Sequence, residues 1–130
     1  MEVTSAVAVA SARATATLRI MQEEKARLLF GSDTPSGEGI GNPPGLNGRM
    51  ELSRWSEAGV PLARILRAAT LDNAAAFGLS KDLGTIEVGK RADLLLLRSD
   101  PLKTIAAYDA IDTIFLNGSP ILRASLLPAN

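Results

Sequence analysis

The spacing of apolar residues changes character several times along the chain, and each change predicts an element. Residues 5–25 are rich in Ala, with Leu18, Met21 and Lys25 at helical spacing and Arg13 and Glu24 outside that row, which predicts a helix. The Val and Thr residues within 3–9 leave a strand open as the alternative there. Arg27-Leu28-Leu29-Phe30-Gly31 is a short apolar run closed by Ser32-Asp33-Thr34-Pro35. It predicts a buried strand of the kind found in parallel sheets. Residues 36–48, dense in Gly, Asn and Pro, predict a loop, and connections of such length in compact domains are usually functional or lack fixed structure.

Three helical segments are expected next. Residues 49–58 place Leu52, Trp55 and Ala58 on one face, with Gly59 suited to the position past the helix end. Pro61 suits the first turn of a second helix, in which Leu62, Ile65, Leu66 and Ala69 form an apolar stripe. Thr70 and Asn73 are read as caps of a third helix over 72–77, ended by Gly78. After a break near residues 80–83 the pattern becomes that of a small sheet. Residues 84–90 predict a short strand with a turn, and 93–98 a strand buried on both faces. Residues 111–116 predict a third strand, Asn117-Gly118 a type I′ hairpin turn, and 120–122 a fourth strand that Pro120 confines to an edge.

Composition narrows the chemistry. The 130 residues carry 14 basic and 14 acidic side chains, so no basic surplus points to nucleic acid or anionic lipid. No apolar run approaches the ~20 residues of a membrane span, and the N-terminus lacks the basic start of a signal peptide. The chain has no Cys, which fits a reducing compartment and leads to the expectation of a cytoplasmic protein. It also has no His, the commonest metal ligand and the usual proton shuttle near neutral pH. Independent catalysis would have to rest on carboxylates, Ser, Thr, Lys or Tyr.

Three blocks carry a resemblance. Leu29-Phe30-Gly31-Ser32-Asp33-Thr34-Pro35 resembles the eighth strand of the amidohydrolase superfamily barrel. Residues 66–79 resemble the helix pair that follows it, and residues 84–97 with Ile114-Phe115-Leu116-Asn117-Gly118 resemble the return into that family's β-sandwich. The blocks follow the family's order over residues 27–122, and the imidazolonepropionase-like group is the nearest in character. The resemblance implies an α/β fold: residues 1–80 as the C-terminal portion of a (β/α)8 barrel, contributing its last strand and helices, and residues 81–130 as part of a composite β-sandwich domain. It implies a metal-dependent hydrolase of non-peptide carbon–nitrogen bonds, acting on a small amide or cyclic amide and using zinc or another divalent ion.

Asp33 is the catalytic candidate. A carboxylate at the C-terminal end of a barrel strand faces the active site, where it can bind a metal and accept a proton from bound water. The resemblance gives Asp33 both roles, metal ligand and general base. A turn carboxylate bound to nearby amides is the alternative. Asn42, Asn47 and Arg49, in and beside the glycine-rich loop, are candidate donors to a substrate, a flexible connection being the alternative for that loop. Gly37-Glu38-Gly39-Ile40-Gly41 lacks Rossmann or P-loop spacing, so nucleotide binding there is not expected. Trp55 is expected in the core, and Arg64, Arg67, Lys90 and Arg91 on solvated faces. The His ligands that the resembling family draws from earlier strands are missing, so the chain alone is expected to bind no zinc and to be inactive. A non-catalytic fragment or interaction module that needs a partner is the rival reading. Incomplete layers also predict exposed apolar faces and self-association through them.

Overall fold

The computed structural model describes residues 2–33 and 45–126. Helix α1 spans Glu2–Glu23, so the alternative of a strand over 3–9 does not hold. Helix α2, Leu46–Glu57, starts three residues earlier than its apolar row suggests and turns the end of the expected loop helical. Gly59, with φ of 86°, ends it in the left-handed conformation that only glycine adopts freely.

Helices α3 (Leu62–Arg67) and α4 (Asn73–Ala76) are joined without a break by a π-helical turn at Ala68–Asp72. Thr70 is therefore no cap. Its hydroxyl donates to the Leu66 carbonyl at 2.7 Å, inside the helical stretch. The π-turn shifts the phase of α4 relative to α3. Gly78, with φ of 72°, closes the stretch as expected.

Leu28, Trp55, Val60, Ile65 and Ala68 form the core, with Leu18, Phe30, Leu52, Leu62 and Ile105 packed against it. Phe30 meets Trp55 edge to face, ring centroids 5.9 Å apart. The Trp55 indole donates to Glu51 at 2.8 Å, so its polar end is satisfied while its rings are buried.

The expected strand at 27–31 has no ladder. No described strand lies on either side of it, and a strand is defined by the neighbours it bonds to. Its side chains still alternate: Leu28 and Phe30 turn to the core, while Leu29, 44% exposed, and Asp33 face outward. Side chains from the helices take the place of strand partners. The Asn73 amide accepts from the Phe30 N–H at 3.1 Å and donates to the Phe30 carbonyl at 2.8 Å. Arg64 donates to the Ala26 carbonyl and Asn47 to the Ser32 carbonyl.

The sheet has the order β1-β2-β3, all antiparallel: β1 Leu94–Leu97, β2 Ile111–Leu116 and β3 Ser119–Leu122. A bulge interrupts the β1–β2 register between Leu96 and Leu97. Asn117 and Gly118 both have positive φ, 50° and 78°, as a type I′ turn requires. Pro120 lies on edge strand β3 opposite Phe115. Two expectations fail here. Residues 84–90 form turns, not a strand, and leave Ile86 85% exposed. Strand β1 is not buried on both faces, because Leu95 and Leu96 are each about half exposed. In both places the apolar side chains are present but no described layer covers them.

Candidate functional site

Asp33 ends the outward-facing row that begins at Leu29. It is exposed, with φ of 44°, a left-handed conformation that Asp tolerates better than most residues. Among the described residues its carboxylate has no hydrogen-bond or ion-pair partner. The alternative of a turn carboxylate calls on amides of the residues that follow Asp33, and those lie outside the described residues.

Helix α2 begins beside it. The bond from the Asn47 amide to the Ser32 carbonyl joins its first turn to the residue before Asp33. Gly48 stacks against Ser32 on the same side, where an added Cβ would sit 3.7 Å from the Ser32 Cβ. Asn47 is thus brought to Asp33's neighbourhood, with one of its two side-chain N–H donors given to the Ser32 carbonyl. Asn42 lies outside the described residues.

Arg49 is drawn elsewhere. Its guanidinium grips both oxygens of Asp109, at 2.6 and 2.7 Å, and donates to the Ser53 hydroxyl at 2.5 Å. The hydrogen bond to Asp109 holds the Arg49 pKa above its ordinary value against a smaller opposing effect of burial. A bidentate arginine–carboxylate pair is geometrically specific. It fastens α2 to the 310 turn Ile105–Asp109, which leads into β2.

Sequence reasoning missed two residues that build this region. Asn73, read as a cap, holds the segment before Asp33 through both sides of the Phe30 peptide. Asp109 is the partner of Arg49. An Asn inside an alanine-rich helix is the only local signal for the first, and nothing in the sequence pairs residues 49 and 109. Arg67 pairs with Asp72 at 3.1 Å and Arg91 with Asp93 at 2.7 Å, both near the surface as expected. Among the described residues no three acidic side chains converge on a point where a metal could sit.

An imidazolonepropionase from Shouchella clausii is 35% identical over 66 residues, which take in 48% of this chain and 15% of that protein. A 5-methylthioadenosine/S-adenosylhomocysteine deaminase from Moorella thermoacetica is 35% identical over 75 residues, 48% of this chain and 18% of that protein. The crystal structure of a Xaa-Pro dipeptidase with methionine bound in its active site superposes with a TM-score of 0.72 at 26% identity, over 83% of this chain and 25% of that one. The chain therefore spans less than a fifth of the length of these two curated relatives. The profile of the Amidohydrolase family matches residues 4–121, and the chain belongs to that family.

Proposed function

We propose that these residues form the C-terminal part of a hydrolase of non-peptide carbon–nitrogen bonds, in which Asp33 supplies an active-site carboxylate. In this reading the strand expected at 27–31, which runs on to Asp33, is the last strand of the barrel, helices α2 to α4 are its outer layer, and the β1–β3 sheet is part of a sandwich. The observation that carries it is the position of Asp33. It is an exposed carboxylate without a described partner, at the C-terminal end of a segment whose other face packs on helices. That is where a barrel strand presents its chemistry. The substrate class is a small amide or cyclic amide met in the cytoplasm, with Asn47 beside Asp33 and Asn42 and Arg49 as further candidates for substrate contact.

The divalent metal ion of the amidohydrolase family does not fit these residues by themselves. A catalytic zinc draws about three protein ligands, mostly His. The sequence contains no His or Cys, and one carboxylate stands where three ligands are needed. Asp33 serves as ligand and base only if other residues, outside these 130, complete the site. What this chain's own residues do is narrower. The Asn73 and Asn47 amides and Arg64 fix the backbone on which Asp33 stands, and Asp33 offers an acceptor for a proton.

The exposed sheet favours a second reading, a non-catalytic module that docks on a partner, since no residue of β1, β2 or β3 is buried. Two measurements separate the readings. The purified chain is expected to hold no stoichiometric zinc by elemental analysis and to hydrolyse no amide substrate. Zinc with turnover would overturn the dependence on outside residues. An open frame upstream of Met1 that encodes a His-x-His strand supports the enzyme, and an in-frame stop there supports the module.

A further inference from the structure

At the opposite end of the 26–33 segment from Asp33 lies a cavity of about 630 Å3. Its walls are the turn that ends α1 and the helical stretch from α3 to α4. Four cationic side chains line it, Lys25, Arg27, Arg64 and Arg67, against the single carboxylate of Asp72. A formal surplus of three positive charges is therefore gathered in one concavity of a chain whose net charge is zero.

The one carboxylate is already engaged. Arg67 bonds both Asp72 oxygens, at 3.2 and 3.1 Å, and the Arg27 Nε lies 4.0 Å from Oδ1. Arg27 also donates to the Asp72 carbonyl at 3.1 Å, and Arg64 to the Ala26 carbonyl. These bonds hold the guanidinium groups in place and use only some of the five donors that each one carries. The Lys25 ammonium pairs with no carboxylate among the described residues. Leu28, Leu71, Ala26 and Ala75 supply the apolar lining, and no aromatic side chain takes part.

We propose that this cavity binds an oligophosphate. Guanidinium forks match phosphate oxygens two at a time, and a lysine adds a mobile point charge. Several cations around one opening suit an anion of several linked charges better than a single ion. No aromatic platform offers a base a stacking face, and the arginine planes are already turned to carbonyl and carboxylate partners, so the phosphate chain is what the site reads. The position, at the end of the segment away from Asp33, sets it apart from the proposed active site. It depends on neither the metal nor the hydrolase reading.

Calorimetric titration of the purified 130-residue chain at low salt tests this, with sodium tripolyphosphate, orthophosphate and ATP as probes. Tripolyphosphate is expected to bind at least about tenfold tighter than orthophosphate, and binding is expected to weaken with added salt as exposed charges are screened. ATP is expected to bind no tighter than tripolyphosphate. Lys25→Gln, which breaks no described bond, is expected to weaken tripolyphosphate about fivefold, and Ala75→Glu, on exposed helix surface, by tenfold or more. Lys103→Gln, at an exposed site on the far connection, is expected to leave it unchanged. Circular dichroism of each variant checks that the helices persist. Absence of binding at millimolar tripolyphosphate would overturn the proposal. So would equal losses in Lys25→Gln and Lys103→Gln, which mark diffuse attraction, or a tenfold preference for ATP.

Discussion

Residues 46–76 and residues 84–122 draw on the same apolar residue types, yet they end in different states. The helical region closes a core around Ile65 and Ala68, both fully buried, with Trp55 and Val60 nearly so. In the sheet region Leu95, Leu96, Leu116 and Leu122 are each at least half exposed, and none of the three strands contains a buried residue. A helix pair buries its stripe against one neighbour and a returning segment, all of which this chain supplies. A three-stranded sheet has two faces and needs a layer on at least one. The contrast teaches that the helical region carries the stability of this chain, while the sheet is held mainly by its own ladder and by the turn that ties it to α2.

The largest expected effect tests that division directly. Ile65→Ala should cost about 2–5 kcal/mol, the range for opening a cavity in a closed core. Leu96→Ala should cost less than about 1 kcal/mol, since half of that side chain already meets water. Urea unfolding followed by circular dichroism, with Trp55 fluorescence as a local reporter, measures both. Similar losses for the two variants would break the comparison, because they would mean that something covers the sheet in solution, as self-association would.

The next effect lies at the joint between the regions. Gly84 has φ of 96° and approaches the helical stretch so closely that an added Cβ would lie 2.7 Å from the Ala74 Cβ and 3.1 Å from the Leu71 Cα. Gly84→Ala should therefore cost about 2–3 kcal/mol, from crowding together with a left-handed backbone. If the two regions were loosely joined, the chain would shift and the loss would shrink towards the backbone part alone.

Asn73→Ala comes third. It removes both hydrogen bonds to the Phe30 peptide and leaves a half-buried donor and acceptor unpaired, at a cost of about 1–3 kcal/mol. Hydrogen exchange at the Phe30 amide is the sharper readout. It should accelerate well beyond the change at amides of α2. An unchanged rate would show that the 26–33 segment is held by its packed side chains and not by this amide.

Much of the helical region was legible in the sequence, because its signals are local. Glycines 59 and 78 mark helix ends, and the spacing of Leu52, Trp55 and Ala58 finds the inner face of α2. Even so, the row of Leu62, Ile65, Leu66 and Ala69 is only partly right. The more deeply buried pair is Ile65 and Ala68, with the π-turn beginning at Ala68. The hairpin was legible from Asn117-Gly118 for the same local reason. The strands expected at 27–31 and 84–90 are a different case. A strand's state depends on partners distant in sequence, and here no described strand flanks either stretch. Of the candidate site, Asp33 was found through its resemblance to a family motif. The Arg49–Asp109 and Asn73–Phe30 bonds join residues 60 and 43 positions apart, and no local pattern announces them.

The smallest effect concerns the turn that holds the hairpin to β1. The Asp93 carboxylate accepts from the Asn117 N–H at 2.8 Å, and Gly118 N–H donates to the Ala92 carbonyl at 3.0 Å, so the turn is fastened to the start of β1, the strand next to β2. The Asn117 hydrogen bond, then the bond and charge of Arg91, hold the Asp93 pKa below the ordinary carboxylate value. The sign follows. A carboxyl group with a lower pKa in the folded chain than in the unfolded one stabilises the fold above the unfolded value of about 3.9, and that contribution fades as pH falls through the folded value. Unfolding midpoints measured from pH 6 down to pH 3 should therefore fall more steeply for the native chain than for Asp93→Asn. Glu87, also lowered, by Thr85 and then Lys90, contributes equally to both and cancels in the difference. Added salt should weaken the part owed to Arg91 at this exposed site and leave the part owed to the Asn117 amide. A difference that vanished in salt would assign the clamp to charge alone, and the sheet would then lack the directional bond that here substitutes for a covering layer.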